Sequence, residues 1–194
     1  KWVPRRDGYD RARKLLSPSI RFDISDVWDG PSMTTQQREV ELTQEQKNQM
    51  AGLKRDLQVV VKSGQPITAA NEVSARSKFL QISLGAIYDD RHKAHAVDAE
   101  PRMRELERVI EEAHRKVVVF VPLTSVVHLV HKRLSKQWTC AIINGEVSPR
   151  DRADVIRRFE TDDSLRVVIC DPAATAHGIN EFVAADTVVW MGAI

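Results

Sequence analysis

Apolar positions recur along this chain in two rhythms. Up to about Arg115 they fall at helical spacing within a polar background; beyond it, short apolar runs alternate with helical stretches. The chain opens on a basic segment, residues 1–14, followed by Leu15-Leu16-Ser17-Pro18 and a turn-like stretch at 28–32. Residues 38–42 alternate polar and apolar, the pattern of an edge strand. Thr43 with Gln46 three residues on forms a capping box. The helix it starts is predicted to carry Met50, Leu53, Leu57 and Val60 on one face. Beyond Ser63-Gly64-Gln65-Pro66, a second stripe holds Val73, Leu80, Leu84 and Ile87. A third holds Met103, Leu106, Ile110 and Ala113. The polar stretch between Asp89 and Glu100 reads as a loop.

The second region contains four apolar runs, at 117–121, 139–143, 167–170 and 187–191. Each is short, rich in β-branched residues and apolar on both alternating faces, the pattern of strands buried on both sides of a parallel sheet. Helical stretches separate the first three. Residues 125–134 place Val126, Leu129, Val130 and Leu134 on one side; residues 150–160 do the same with Ala153, Ile156 and Phe159. Strand, helix, strand, helix, strand is the βαβ signature. The predicted fold class is therefore α/β, a mainly parallel sheet flanked by helices and preceded by a helical segment.

Open parallel sheets bind ligands at the carboxyl ends of their strands. Here those ends run into residues 122–125, 144–149 and 171–180. Helix N-termini present unpaired N–H groups and the positive end of the dipole, which suits phosphates. Thr124 or Ser125 is predicted to cap the helix after the first strand. Ser148 as N-cap, Pro149 at the first helical position and Asp151 at the third start the next one. Most capped helices bind nothing, so the weight rests on three such loops sharing one rim.

In this order the pieces resemble the C-terminal lobe of superfamily-two helicases, and within them the Swi/Snf-type translocases and their phage relatives. The resemblance is carried by Val119-Phe120-Val121-Pro122-Leu123-Thr124-Ser125. It continues in Ile143-Asn144-Gly145 with the helix Arg150-Asp151-Arg152-Ala153-Asp154-Val155-Ile156-Arg157-Arg158-Phe159. It ends in a motif V-like block, Ala174-Thr175-Ala176-His177-Gly178-Ile179-Asn180, followed by 184–189. More loosely it extends back to about Ile20, through the glutamine-bearing segment Phe79-Leu80-Gln81-Ile82. The implied fold is RecA-like, the second lobe of a P-loop NTPase-type motor. Residues 1–30 are expected to be the junction from the first lobe, 31–115 a helical segment, and 116–194 the core of the lobe, truncated at its C-terminal end.

The resemblance also implies a division of labour. Thr124, Ser125 and Thr175 would touch the nucleic-acid backbone, with Gly145 and Arg152 near the same strand, giving grip without sequence reading. Gly178 and Asn180 would face ATP held by the first lobe. Nucleic acid, DNA ahead of RNA, and that first lobe are the expected partners; ATP and Mg are the expected cofactors, bound mainly by the other lobe. Two features depart from the pattern of chromatin remodellers: Pro172, which is closer to phage-type members, and His177. The chain contains no GxxxxGK[ST] loop, and the family's arginine finger would follow Ile194. By itself it is therefore expected to be nearly inactive as an ATPase.

Composition narrows this picture only slightly. Hydrophobic residues make up 42% and charged residues 29%, as in a globular domain. A net charge of +2 is too balanced to carry a claim of nucleic-acid binding. Cys140 and Cys170 form no CxxC pair, so they read as small core residues in a reduced, cytoplasmic setting. No apolar stretch is long enough to span a bilayer. Glu111-Glu112-Ala113-His114 resembles a DEAH box but sits at a helix end, where a solvated face is expected. His92 with His95, and His128 with His131, have spacing that would bring them together on a helix, without the acid of a metal motif. Arg157 and Arg158 read as surface charges. A second reading of the chain is a RecA-like module that grips nucleic acid or protein without being part of a working ATPase. A small-molecule enzyme ranks last, for want of an acid, base or nucleophile set.

Overall fold

The computed structural model describes residues 5–19, 34–62, 64, 66–175 and 181–192. Two compact units divide the chain, Lys1–Gln37 and Arg38–Ile194. In the first, helix α1 (Gly8–Leu15) buries none of its residues, and Tyr9, Leu15 and Leu16 stand exposed.

The second unit is a three-layer α/β lobe. Its sheet contains β5 (Lys116–Phe120), β6 (Thr139–Ile143), β7 (Leu165–Cys170) and β8 (Ala185–Trp190), in the order β6-β7-β5-β8. All three pairings are parallel. Val117, Val119, Val121, Val167 and Ile169 pack on one face against Val126, Val127, Val130 and Leu134 of α5 (Thr124–Leu134). Leu106 and Ile110 of α4 (Glu100–Glu112) join the same core. On the other face Val118, Val168 and Cys170 meet Phe159 of α6 (Pro149–Thr161). Phe159 is completely buried, a contribution of about 2–3 kcal/mol from lost apolar exposure.

Strands β5 and β7 are buried on both faces. In β8 the exposure alternates, and Val188 and Trp190 remain half open to solvent. This corrects the expectation of cover on both sides for the fourth run alone: β8 shows one face to solvent, whereas the edge strand β6 sets Cys140 and Ile142 against one core and Ala141 and Ile143 against the other. Trp190 stacks on Phe120, with ring centroids 4.2 Å apart.

A smaller core lies before the sheet. Helix α2 (Gln44–Asp56) starts at the predicted capping box, with Thr43 as N-cap and Gln46 closing it. The predicted stripe is cut short, because Leu57 turns left-handed (φ 51°) and the chain enters β1 (Gln58–Val60). Val60 is consequently exposed. Strand β1 pairs antiparallel with β2 (Pro66–Thr68). Helix α3 (Glu72–Leu84) buries Ile82 and Leu84 but leaves Val73 exposed, and Ile87 belongs to β3 (Ala86–Tyr88) rather than to the helix. The predicted loop after Asp89 contains β4 (Ala94–Ala96), paired antiparallel with β3. The predicted edge strand at 38–42 is irregular coil. Alternation alone supplies no neighbouring strand there, and Arg38 instead pairs with Glu105 and Glu112 of α4.

Buried polar side chains hold these layers together. Gln46 is almost fully buried; it accepts from Thr43 N and donates to the carbonyls of Ile82 and Ser83 at the end of α3. Arg102 donates to Ser83 O at 2.9 Å and to Met191 O at 2.7 Å, tying α3 to the end of β8. Burial pushes the Arg102 pKa below its ordinary value. Gly85 ends α3 in the left-handed region (φ 103°), and a Cβ there would lie 3.0 Å from that of Ala99. Gly85→Ala is therefore expected to lower unfolding free energy by about 1–2 kcal/mol, from left-handed backbone strain together with this contact. Urea denaturation monitored by circular dichroism would measure it.

Candidate nucleic-acid-binding rim

Parallel register decides which loops meet. Phe120 pairs with Cys170 and Trp190, and Ile143 with Cys170. The ladder continues one residue further: Val121 N donates to Cys170 O, Asp171 N to Ile143 O, and Met191 N to Phe120 O. The chain therefore leaves all four strands at one level. Residues 122–125, 144–148 and 171–175 stand along a single rim, as predicted for the strand ends.

Helix α5 enters this rim without a side-chain cap. Its N-cap is Leu123, and no side-chain cap hydrogen bond is made. The expectation that Thr124 or Ser125 is the N-cap is corrected, because both already lie inside the helix. Ser125 N donates instead to the phenol oxygen of Tyr88 at 3.1 Å, while the Ser125 hydroxyl is buried without a partner among the described residues. Tyr88 occupies only the Ser125 amide, so the rest of the first turn retains donor capacity and the positive end of the dipole.

Helix α6 begins as expected. Ser148 is the N-cap, its hydroxyl accepting from Asp151 N and donating to the Asp151 carboxylate at 2.7 Å, and Pro149 is the first helical residue. Arg152 follows, with Nε sealed from solvent and without an acceptor among the described residues. Gly145 needs no special backbone: its φ is not positive, and a Cβ placed there meets nothing within 4 Å. Neighbouring Asn144 is buried. Glu146 accepts from its amide at 3.1 Å and pairs with His128 Nε2 of α5 at 2.8 Å. The His128 bond, then that of Asn144, holds the Glu146 carboxyl below its usual pKa. This clasp joins the helix bearing Thr124 and Ser125 to the loop bearing Gly145.

After β7 the chain forms a short helix, α7 (Pro172–Thr175). Asp171 accepts from Ala173 N at 2.9 Å. The Thr175 hydroxyl donates to Asp171 O at 3.0 Å, so its proton serves its own turn and must rotate away to reach a phosphate. Gly178, Asn180 and His177 lie outside the described residues.

Tyr88 and its hairpin were not legible as part of the rim. Tyr88 N donates to Gln81 Oε1 at 3.0 Å, and the ammonium of Lys78 donates to Tyr88 O. Next to it, buried Asp89 accepts from Arg91 N, Lys93 N and His95 Nε2, each at 2.9 Å. The His95 bond is the largest cause that brings the Asp89 carboxyl down to about 2. His92 and His95 thus lie in a hairpin, so their helical spacing does not bring them together, and His92 is left-handed (φ 58°). His131 lies on α5 with His128 but contacts Ser135. Burial raises the Cys140 thiol to about 11 and the Cys170 thiol to about 12, so neither is a nucleophile near neutral pH. Glu112 meets Arg38, Arg157 meets Asp154, and Arg158 meets Asp162, all as surface charges. Among the described residues no group of three His, Cys, Asp or Glu could hold a metal ion, and no helix is long and apolar enough to cross a membrane.

Residues 101–193 match the family of the helicase conserved C-terminal domain. No curated protein matches the chain. In fold it is similar to the Sulfolobus solfataricus SWI2/SNF2 ATPase C-terminal domain, with 21% identity over 78% of this chain and 68% of that one and a TM-score of 0.58. The Sulfolobus solfataricus SWI2/SNF2 ATPase core domain is 19% identical over 95% of this chain and 40% of its own, with a TM-score of 0.57. The same core in complex with dsDNA is 17% identical over 78% of this chain and 39% of its own, with a TM-score of 0.54. The chain thus spans about two fifths of the ATPase cores it matches. The class so defined is a RecA-like α/β lobe. Its residues 101–193 are similar to the helicase conserved C-terminal domain, and its fold is that of the SWI2/SNF2 ATPase lobes.

Two measurements check the site geometry. Gly145→Ala is expected to leave stability within about 0.5 kcal/mol, since the added methyl meets no protein atom; a large drop in melting temperature would contradict the open surface described. For Asp89, the depressed pKa means that its stabilisation is fully present above the unfolded carboxyl value of 3.8 and lost as pH falls through about 2. Amide-exchange protection of Arg91 and Lys93 should therefore persist at pH 5 and fade between about 4 and 2.

Proposed function

We propose that this lobe is the second motor lobe of an ATP-dependent DNA translocase or helicase, cytoplasmic and of the phage-like style. The observation that carries this reading is the single rim, where the open N-terminus of α5 and the Gly145 and Thr175 loops are brought level by strand register. Such a rim suits a phosphate backbone, which asks for hydroxyls, N–H groups and helix ends rather than base-specific side chains. Thr124, Ser125, Gly145, Arg152 and Thr175 are the proposed contacts. Ser125 Oγ and Arg152 Nε, buried and without a partner among the described residues, support a role beyond packing.

Residues 1–30 are read as the junction from the first lobe, 31–115 as the segment leading into the second, and 116–194 as its core. ATP and Mg would be held mainly by the first lobe. The described residues form neither a phosphate-cradling GxxxxGK[ST] loop nor a carboxylate cluster for a divalent ion. This lobe's share is assigned to Gly178 and Asn180. Its own work is to bind and orient the nucleic-acid backbone, and closure against the first lobe would shift that grip along the strand.

The test is salt-dependent binding of single- and double-stranded DNA by the chain and by a Thr124→Ala/Thr175→Ala variant. Affinity is expected to fall about 5- to 20-fold in the variant, equally on all sequences, from the loss of one or two phosphate hydrogen bonds. Equal binding by both proteins would move the contact surface off the rim. Binding unaffected by salt would argue against backbone contact.

A further inference from the structure

We infer that the tip of the β3–β4 hairpin, through Arg91 and Lys93, is a second nucleic-acid backbone contact that extends the rim. Three observations place it there. Tyr88, at the end of β3, accepts the Ser125 amide in the first turn of α5, so the base of the hairpin is fastened to the rim itself. Arg91 lies three residues from Tyr88, a chain path of about 10 Å. The side chains of Arg91 and Lys93 are exposed, and neither forms an ion pair or hydrogen bond among the described residues.

Their freedom has a structural cause. Of the two carboxylates in the turn, Asp89 is turned inward. It is only 4% exposed, and its two oxygens are taken by the Arg91 and Lys93 backbone amides and by His95. The turn is closed further by His92 N on Asp89 O and by Asp89 N on Lys93 O. Asp89 thus shapes the tip through its backbone while leaving the two cationic heads to solvent. Asp90 is the one carboxylate on the exposed tip, against Arg91 and Lys93, and its charge also acts on Lys78 at the base of the hairpin. The remaining polar side chain there is His92, also exposed.

Two free cations on a preformed turn, next to an uncapped helix end, suit a polyanion. Arg91 offers a planar donor fork and Lys93 a point charge, both matched to phosphate oxygens and neither placed to read a base. The ligand class is a nucleic-acid phosphodiester backbone, with the hairpin acting beside the α5 rim. The inference rests on the rim reading given above, and the two fail separately.

The experiment uses the full chain with a generic-sequence duplex DNA, measured by fluorescence anisotropy between 50 and 200 mM salt. It compares Arg91→Ala/Lys93→Ala, Arg91→Lys/Lys93→Arg, Thr124→Ala/Thr175→Ala and the unaltered chain. Loss of two phosphate contacts should reduce the logarithmic salt slope by about 1.8. Over that fourfold salt range, affinity of the alanine variant should fall about tenfold less than that of the unaltered chain. The charge-preserving variant should keep the original slope, and melting temperatures should match. If the rim variant weakens binding while the hairpin alanine variant keeps both affinity and slope, the hairpin is not a contact although the rim is. If the charge-preserving variant loses as much as the alanine variant, the tip acts through shape rather than charge and the proposal falls. No binding by the unaltered chain at 50 mM salt overturns both readings. A hairpin effect without a rim effect supports the hairpin and removes Thr124 and Thr175 from the site.

Discussion

The parallel ladder that joins β7 to β5 on one side and to β6 on the other sets the geometry of the lobe. Val119 pairs with Ile169 and with Val189, while Ile142 pairs with Ile169. Because side chains alternate across a strand, a one-residue slip would send every buried valine to the opposite face. It would also carry Asn144 or Asp171 out of line with Val121. Register is therefore specified by the fit of each side chain to its own core, and the level rim is a by-product of that specification. Two all-apolar cores, one on each face, enforce it.

Polarity differs between the two ends of the sheet. At the amino end, cations close the helix C-termini. Lys116, 8% exposed, donates to Phe159 O at 2.5 Å and Asp162 O at 2.7 Å at the end of α6. Arg166 donates to Ile110 O and Ala113 O at the end of α4. Each arrangement satisfies orphan carbonyls and matches the negative dipole end. At the carboxyl end, α6 is closed by Ser148 and Asp151, whereas α5 keeps an open first turn with Tyr88 at its second residue. Of the two helix starts on the rim, α6 thus has a side-chain cap and α5 has none.

The smaller core reaches the sheet through a few directed polar contacts. Gln46 and Arg102 converge on Ser83 O, and Arg102 continues to Met191 O beyond the end of β8. Tyr88 makes a second link, to Ser125. Both links arrive on the carboxyl side of the sheet. The hairpin and the end of α3 are thus fixed relative to the rim by hydrogen bonds whose directions are strict.

Much of this architecture is written locally. The βαβ rhythm, the capping box at Thr43, the Ser148-Pro149-Asp151 start and the apolar faces of α5 and α6 depend on neighbours a few residues apart, and such patterns survive in sequence. The resemblance to a helicase C-terminal lobe was likewise carried by short ordered blocks at strand ends. Tertiary structure decided what depends on distant partners. Val60 and Ile87 left their predicted helices because left-handed Leu57 and Gly85 stop those helices and paired strands take up the chain. Residues 38–42 found no strand to pair with. Thr124 and Ser125 passed from cap to first turn because Leu123 took the N-cap position. Tyr88 gave no signal, since a residue 37 positions from Ser125 reaches the rim only through a hydrogen bond that the fold creates. Periodicity encodes which face is buried; it does not encode which distant group completes a site.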